Sequence, residues 1–90
     1  MKFLCSAIKV IPQNTTGFII ISGKRHYNCI ETISKLGIKR DKNNDTQGFI
    51  VLIDGFETFI DRYDGAQIAK ELGYKLEYEN CLYSEVIWPE

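Results

Sequence analysis

The sequence predicts an α+β fold: a mainly antiparallel sheet of about four to five strands with two helices on one face. Two apolar runs bounded by glycines, GFIIISG at 17–23 and GFIVLIDG at 48–55, have the composition of buried β-strands. Apolar residues at helical spacing follow each run, in 26–36 and in 62–72. The 90 residues are the length of one domain, which we assign to 1–90.

The remaining strands follow from composition and turn residues. Residues 2–11 favour a first strand, which Pro12 ends. The FETFI segment at 56–60 predicts a short strand that forms a hairpin with the run before it. The C-terminal segment at 75–88 predicts one more strand or a turn, with Trp88 packing back on the domain.

The two helical segments resemble each other. HYNCIETISKLG starts at residue 26 and RYDGAQIAKELG at residue 62, and both place tyrosine second and end in Leu-Gly. Asp61 is a suitable N-cap for the second helix, and Gly37 and Gly73 are suitable C-terminal residues. We therefore take a strand–helix unit that occurs twice as a hypothesis.

Two continuous apolar strands need cover on both faces, which a chain of this size does not easily supply. This predicts a homodimer or a higher homo-oligomer, in which copies of the chain cover each other.

Charge is divided unevenly along a chain of net charge −1. Residues 1–45 contain eight Lys/Arg and three Asp/Glu, whereas residues 46–90 contain three and nine. Such a division suggests either a basic site for an anionic partner or association between copies. The overall balance argues against binding of long nucleic acid.

Composition excludes other classes of site. No apolar run approaches the about 20 residues of a membrane span, so we expect no membrane partner. Three widely spaced cysteines and one histidine do not form a zinc site, and we expect neither a metal nor a cofactor. Free thiols also suit a reducing cytoplasm.

The strongest functional pattern lies where the two helices begin. A helix N-terminus attracts anions and normally carries acidic residues, yet this chain places cations at both starts. Arginine can grip phosphate with two parallel hydrogen bonds, and tyrosine can stack on a base. The ligand-binding residues that we predict are Lys24, Arg25, His26, Tyr27, Arg62, Tyr63, Ser84 and Glu85.

Other interpretations of these residues stay open. Arg25 and Arg62 could be surface residues, with Arg62 pairing with Asp64 or Glu85. A lone histidine cannot supply both a general acid and a general base, so we assign no catalytic residue and favour a non-enzyme. Cys29 lies on the apolar stripe of its helix, which indicates a core residue rather than a nucleophile.

Four blocks of the sequence resemble a group of small bacteriophage-encoded proteins of uncharacterised function. The blocks are GKRHYNCI (23–30), QGF (47–49), FIDRYDGAQIA (59–69) and LYSEVIW (82–88). Their counterparts in that group are a G-x-R-H segment, a QGF strand, an F-V-D-R-x-E-A helix start and a closing LYSED-L-[YW]. The resemblance implies phage origin and a small α+β domain. Together with the free thiols, phage origin leads us to expect the host cytoplasm as location.

Phage origin shapes the functional hypothesis. Small phage proteins without enzymatic motifs often act against host defence, so we expect an anti-defence sponge. Such a protein binds a small anionic ligand, a phosphorylated nucleotide signal, without cleaving it. One alternative is a phosphodiesterase-type enzyme that uses His26. Another is an inhibitor that blocks a host defence protein through the acidic face of residues 54–90.

Overall fold

The computed structural model describes residues 1–14, 16–39, 45–76, 78 and 80–89. Four strands form one antiparallel sheet in the order β2-β1-β3-β4. The α+β class is confirmed, with two long helices and a third of four residues in the described part of the chain. The elements are β1 (Lys2–Val10), β2 (Ile19–Gly23), α1 (His26–Lys35), β3 (Thr46–Ile53), β4 (Phe56–Asp61), α2 (Arg62–Glu71) and α3 (Ser84–Ile87).

The hairpin predicted for the FETFI segment is present. Ile53 pairs with Phe56, and Asp54 and Gly55 form the two-residue turn between them. Both turn residues have positive φ, 51° for Asp54 and 85° for Gly55. Asp-Gly with this geometry matches the right-handed twist of two paired strands, which is why a tight turn joins β3 to β4.

Both long helices cover the same face of the sheet. Under α1, the buried residues are Ile8, Val10, Ile21, Cys29 and Ile33. A second cluster lies under α2 and consists of Phe3, Phe49, Val51, Ile60, Ala66, Ala69 and Leu82. Because side chains alternate between faces along a strand, the residues between these positions point to the opposite face.

The repeat consists of hairpin–helix units, not the strand–helix units that the sequence suggested. α1 directly follows the hairpin β1–β2, and α2 directly follows the hairpin β3–β4. Exchanging the two units, β1 with β3 and β2 with β4, gives the same strand order β2-β1-β3-β4 read from the opposite edge of the sheet. GFIIISG and GFIVLIDG therefore hold different places: the first forms an edge strand and the second a central one.

The expected burial on both faces is wrong for both runs, because the helices cover only one face of the sheet and Ile50 and Leu52 of β3 are half-buried on the other. In β2 only Ile21 is buried, and Ile19 is 41 % exposed. β1 lies on one side of β2 and no strand of the described chain lies on the other. A continuous apolar run therefore shows that a strand is apolar, but it does not show that both faces of the strand are buried.

The two helices match position by position, as the overlay predicted. Each has ten residues, and Leu36 and Leu72 form the C-caps. Gly37 and Gly73 follow with φ of 68° and 92°. Each glycine takes the left-handed conformation that ends a helix, and its lack of a Cβ makes that conformation inexpensive.

The C-terminal segment forms a short helix where one more strand or a turn was expected. α3 follows a single bridge between Tyr78 and Cys81. Trp88 is half-buried and packs against the α2 cluster, as predicted, with its ring 6.4 Å from that of Phe49. No helix in the described part of the chain is long and apolar enough to cross a membrane.

Candidate functional site

The starts of α1 and α2 meet over the middle of the sheet. β2 ends at Gly23 beside Ser6, and β4 ends at Asp61 beside Gly48. Gly48 in turn pairs with Ala7, the neighbour of Ser6, in the centre of the sheet. His26 and Arg62 are the first helical residues of α1 and α2, so the helix starts bring these two side chains to one region.

Each start is closed by a different hydrogen bond. At α1, the Asn28 side-chain oxygen accepts from the Arg25 backbone N–H at 3.0 Å. In α2, Asp61 is the N-cap, and its Oδ1 accepts from the Asp64 N–H at 2.8 Å. Because Arg25 is the N-cap of α1 and has no side-chain acceptor, its guanidinium is available for contacts elsewhere.

Arg25 uses that guanidinium to hold the C-terminal segment. Nη1 donates to Ser84 Oγ at 3.4 Å and Nη2 donates to the Trp88 carbonyl oxygen. Nη1 also lies 3.9 Å from Glu85 Oε1. The Arg25 side chain is only 15 % exposed whereas that of Glu85 is 73 % exposed. Arg25 therefore ties the start of α1 to the segment that follows α2.

His26 is buried between the two halves of the sheet. Its Nε2 lies 2.8 Å from the Gly48 carbonyl oxygen, and its ring makes an edge contact with Phe49 at 5.3 Å. A carbonyl oxygen can only accept, so Nε2 carries the proton and Nδ1 does not. Burial lowers the pKa of His26, and the charge of Arg62 lowers it further, so the ring is neutral near pH 7.

Arg62 is half-buried and stacked. Its guanidinium carbon lies 4.7 Å from the centre of the Tyr83 ring, a cation–π contact. The Arg62 Nε atom is buried and has no hydrogen-bond partner among the described residues. The Arg62 carbonyl oxygen accepts from the Leu82 N–H at 3.1 Å, which places the C-terminal segment beside this helix start too.

A cavity lies beside each helix start. The α2 cavity has a volume of about 590 Å³, and the α1 cavity has about 610 Å³. Tyr63 lines the first and Tyr27 the second, and each tyrosine is 65 % exposed. The α2 cavity is lined by Ile30, Asp45, Thr46, Gln47, Asp61, Arg62, Tyr63 and Cys81, and the α1 cavity by Lys24, Arg25, Tyr27, Glu85 and Pro89.

The predicted ligand-binding residues are thus divided among three places. Lys24, Tyr27 and Glu85 line the α1 cavity together with one side of Arg25. Arg62 and Tyr63 line the α2 cavity. The lining described for either cavity does not include His26 and Ser84, which are 9 % and 3 % exposed.

The Cys29 side chain is poorly suited to nucleophilic chemistry. Burial, and then the neighbouring Cys5, raises the pKa of the Cys29 thiol to about 11, so the thiol stays protonated. Cys29 is fully buried in the α1 cluster, as expected of a core residue. Within the described residues, no group of three or more His, Cys, Asp or Glu side chains could hold a metal ion.

Several residues of the site were missed by sequence reasoning. Thr46 and Gln47 belong to β3 and line the α2 cavity, but the predicted ligand-binding residues did not include them. Cys81 and Tyr83 come from the C-terminal segment and face Arg62. The sequence spacing of these residues does not predict that they lie near Arg62, because their position depends on how the C-terminal segment packs against the start of α2.

The comparisons with known proteins identify a family. The family model of the phage T4 y16D protein matches residues 2–88. The chain therefore belongs to that bacteriophage protein family, which confirms the phage origin that the resemblance implied. No curated protein and no solved structure matches the chain.

Proposed function

We propose that this phage protein binds a small phosphorylated ligand, a nucleotide signal of the host, and holds it without cleaving it. The ligand binds in the α2 cavity, where Arg62 donates hydrogen bonds to its phosphate. The observation that carries the proposal is the buried Nε of Arg62, which has no acceptor among the described residues while its guanidinium borders an open cavity. Buried donors of this kind normally have a partner, and a phosphate oxygen would supply one.

The surroundings of Arg62 suit a nucleotide. Stacking on Tyr83 fixes the plane of the guanidinium, so that its fork is oriented before a ligand arrives. The exposed Tyr63 ring offers a flat surface for a base at the mouth of the cavity. Thr46 and Gln47 add side chains that donate and accept hydrogen bonds. A volume of about 590 Å³ lies within the usual range for small-ligand sites.

Holding rather than cleaving is favoured by the state of His26. Its Nε2–H is engaged by the Gly48 carbonyl oxygen, and its lowered pKa leaves the ring neutral. The ring has only the proton that Gly48 already accepts, and the described lining of either cavity does not include His26, so the ring does not reach the proposed ligand as an acid or as a base. In this proposal Arg25, His26 and Ser84 position the helix starts, while Lys24, Tyr27 and Glu85 form a secondary site at the α1 cavity.

A retention-and-release experiment tests the proposal. The protein is mixed with a panel of cyclic and linear nucleotides, filtered, and then heated to release what it holds. We expect one nucleotide to be missing from the filtrate and to be recovered unchanged. Recovery as a new species would establish an enzyme, and passage of every nucleotide would overturn the proposal and direct the search to host proteins.

Variants of Arg62 test whether the ligand binds in the α2 cavity. Arg62→Ala removes a charge-assisted hydrogen-bond donor of about 1.5–3 kcal/mol, so we expect Kd to rise about 10- to 150-fold. Arg62→Lys keeps the charge without the fork and should give an intermediate Kd. Lys70→Ala is the matched control, because Lys70 is an exposed cation in the last turn of the same helix. Equal affinities of Arg62→Ala and Lys70→Ala would contradict the assignment.

A further inference from the structure

The face of the sheet opposite the helices is apolar and open. By strand alternation, Cys5, Ile20, Ile50, Leu52 and Phe59 point to this outer face. All five are half-buried rather than buried. Cys5, Ile20, Ile50 and Phe59 line a shallow depression of about 360 Å³ there. Both long helices pack on the other side, so neither of them covers this face.

Charges on the outer face are separated by strand. β1 contributes the cations Lys2 and Lys9, whereas β4 contributes the anion Glu57. β2 and β3 contribute no charged residue at all. A basic strand and an acidic strand therefore flank the uncharged central strand β3, which lies between β1 and β4 in the sheet.

That arrangement is self-complementary. A two-fold axis running along β3 lays β1 of one copy over β4 of the other, and β3 over β3. Lys2 pairs with Leu52, and Leu52 pairs with Glu57, so Lys2 and Glu57 occupy the same row across the strands. The axis consequently sets Lys2 of each copy opposite Glu57 of the other, and the pair forms twice.

We propose that the outer face is the interface of a homodimer in which two sheets pack face to face. Ile50 and Leu52 lie on β3, so each contacts the same residue of the other copy near the two-fold axis. Aligned sheets pack about 10 Å apart, with the side chains of the two facing surfaces between them. Cys5 and Phe59 share a row with Ile50 and close the apolar layer on either side of it.

The size of the face sets the expected strength of the dimer. The axis superimposes three strands of each copy, β1, β3 and β4. At about 4.8 Å between strands and about 3.3 Å per residue, these strands give a flat area of about 360 Å² per copy. Stable complexes bury about 800 Å² per partner, so we expect a reversible dimer rather than a permanent one. Phe18, 60 % exposed and 4.4 Å from the Lys9 ammonium, extends the apolar rim.

A charge-swap experiment tests this geometry by sedimentation over a range of protein concentrations. Lys2→Glu and Glu57→Lys each replace two attractions by two repulsions, so we expect each to weaken the dimer about tenfold. The double variant restores both pairs and should return to within about threefold of the unmodified chain. Lys2 and Glu57 are exposed, so neither change should affect folding. Lys35→Glu, on exposed α1 surface, is the control and should leave dimerisation unchanged.

Cross-linking gives a second measurement. In a Cys5→Ser, Cys81→Ser background, Ile50→Cys places a thiol beside the axis, and a short bifunctional thiol reagent should yield the covalent dimer. Gln67→Cys, exposed on α2, should not. A chain that stays monomeric at every concentration would overturn the proposal. So would a dimer that ignores the charge swaps, or one that cross-links equally well through both positions.

Discussion

His26 has the sequence context of a catalytic residue but has a structural role in the fold. The histidine follows two cations at a helix start, a pattern that suggests acid–base chemistry. In the fold it is 9 % exposed, and it links α1 to β3 through the Gly48 carbonyl oxygen. This buried position favours the neutral ring, because protonation would place a positive charge away from water.

The lowered pKa of His26 makes stability depend on pH in a defined direction. Above the unfolded-state pKa of about 6.5, both states are neutral and His26 contributes no pH dependence. Below that value the unfolded chain binds a proton more readily than the folded one, so the free energy of unfolding falls. The decline cannot exceed about 1.4 kcal/mol per pH unit and ends near the folded-state pKa.

Urea unfolding of the unmodified chain and of His26→Gln, at pH 7.5 and pH 5.5, measures this contribution. Glutamine keeps an N–H donor for Gly48 but cannot be protonated, so the variant should lose less stability on acidification. A ring titration by NMR should give a midpoint below 6.5. A midpoint at or above 6.5, with equal losses in the two proteins, would contradict the assignment.

Among the elements, helices were easier to predict from the sequence than the sheet. Helix ends depend on nearby residues: Asp61 as an N-cap, and glycines at 37 and 73 as C-terminal residues. The position of a strand within a sheet depends on distant ones. GFIIISG has the composition of a central strand and lies at an edge, because its unit pairs with the other through β1.

Gly48 is the position at which the pairing of β3 with β4 admits only glycine. A Cβ added there would lie 2.0 Å from the Ile60 carbonyl oxygen and 2.9 Å from the Phe59 ring. The first contact involves backbone, which cannot move aside without separating the strands. We expect Gly48→Ala to lower the free energy of unfolding by at least about 3 kcal/mol.

Gly17→Ala is the matched control for that prediction, measured by thermal or urea unfolding. A Cβ at Gly17 meets nothing within 4 Å, so the change should be within about 0.5 kcal/mol of neutral. Similar stabilities of the two variants would show that β3 and β4 accommodate a side chain at this point.

For the molecule as a whole, the C-terminal segment decides which parts of the predicted site come together. Residues 80–89 contact both helix starts: the Leu82 N–H donates to the Arg62 carbonyl oxygen, and Trp88 and Ser84 accept from Arg25. The sequence indicated cations at both starts but not this segment between them. The sequence therefore grouped Arg25 with Arg62, whereas in the fold the Arg25 guanidinium hydrogen-bonds to the C-terminal segment and the Arg62 Nε has no partner among the described residues.

Arg25 is accordingly expected to hold the two hairpin–helix units together. Arg25→Met keeps much of the side-chain volume but removes the donors that satisfy the Trp88 carbonyl oxygen and Ser84 Oγ. Hydrogen bonds from a charged group contribute about 1.5–3 kcal/mol, and the exposed Glu85 adds little, so we expect a loss of about 2–4 kcal/mol.

Lys24→Met removes the neighbouring exposed cation and should change stability by less than about 0.5 kcal/mol. Urea unfolding measures both values, and amide exchange at Leu82 and Trp88 should rise in Arg25→Met before it rises in β1 and β3. Equal losses in the two variants, or uniform exchange across the chain, would mean that the C-terminal segment is held by its apolar contacts alone.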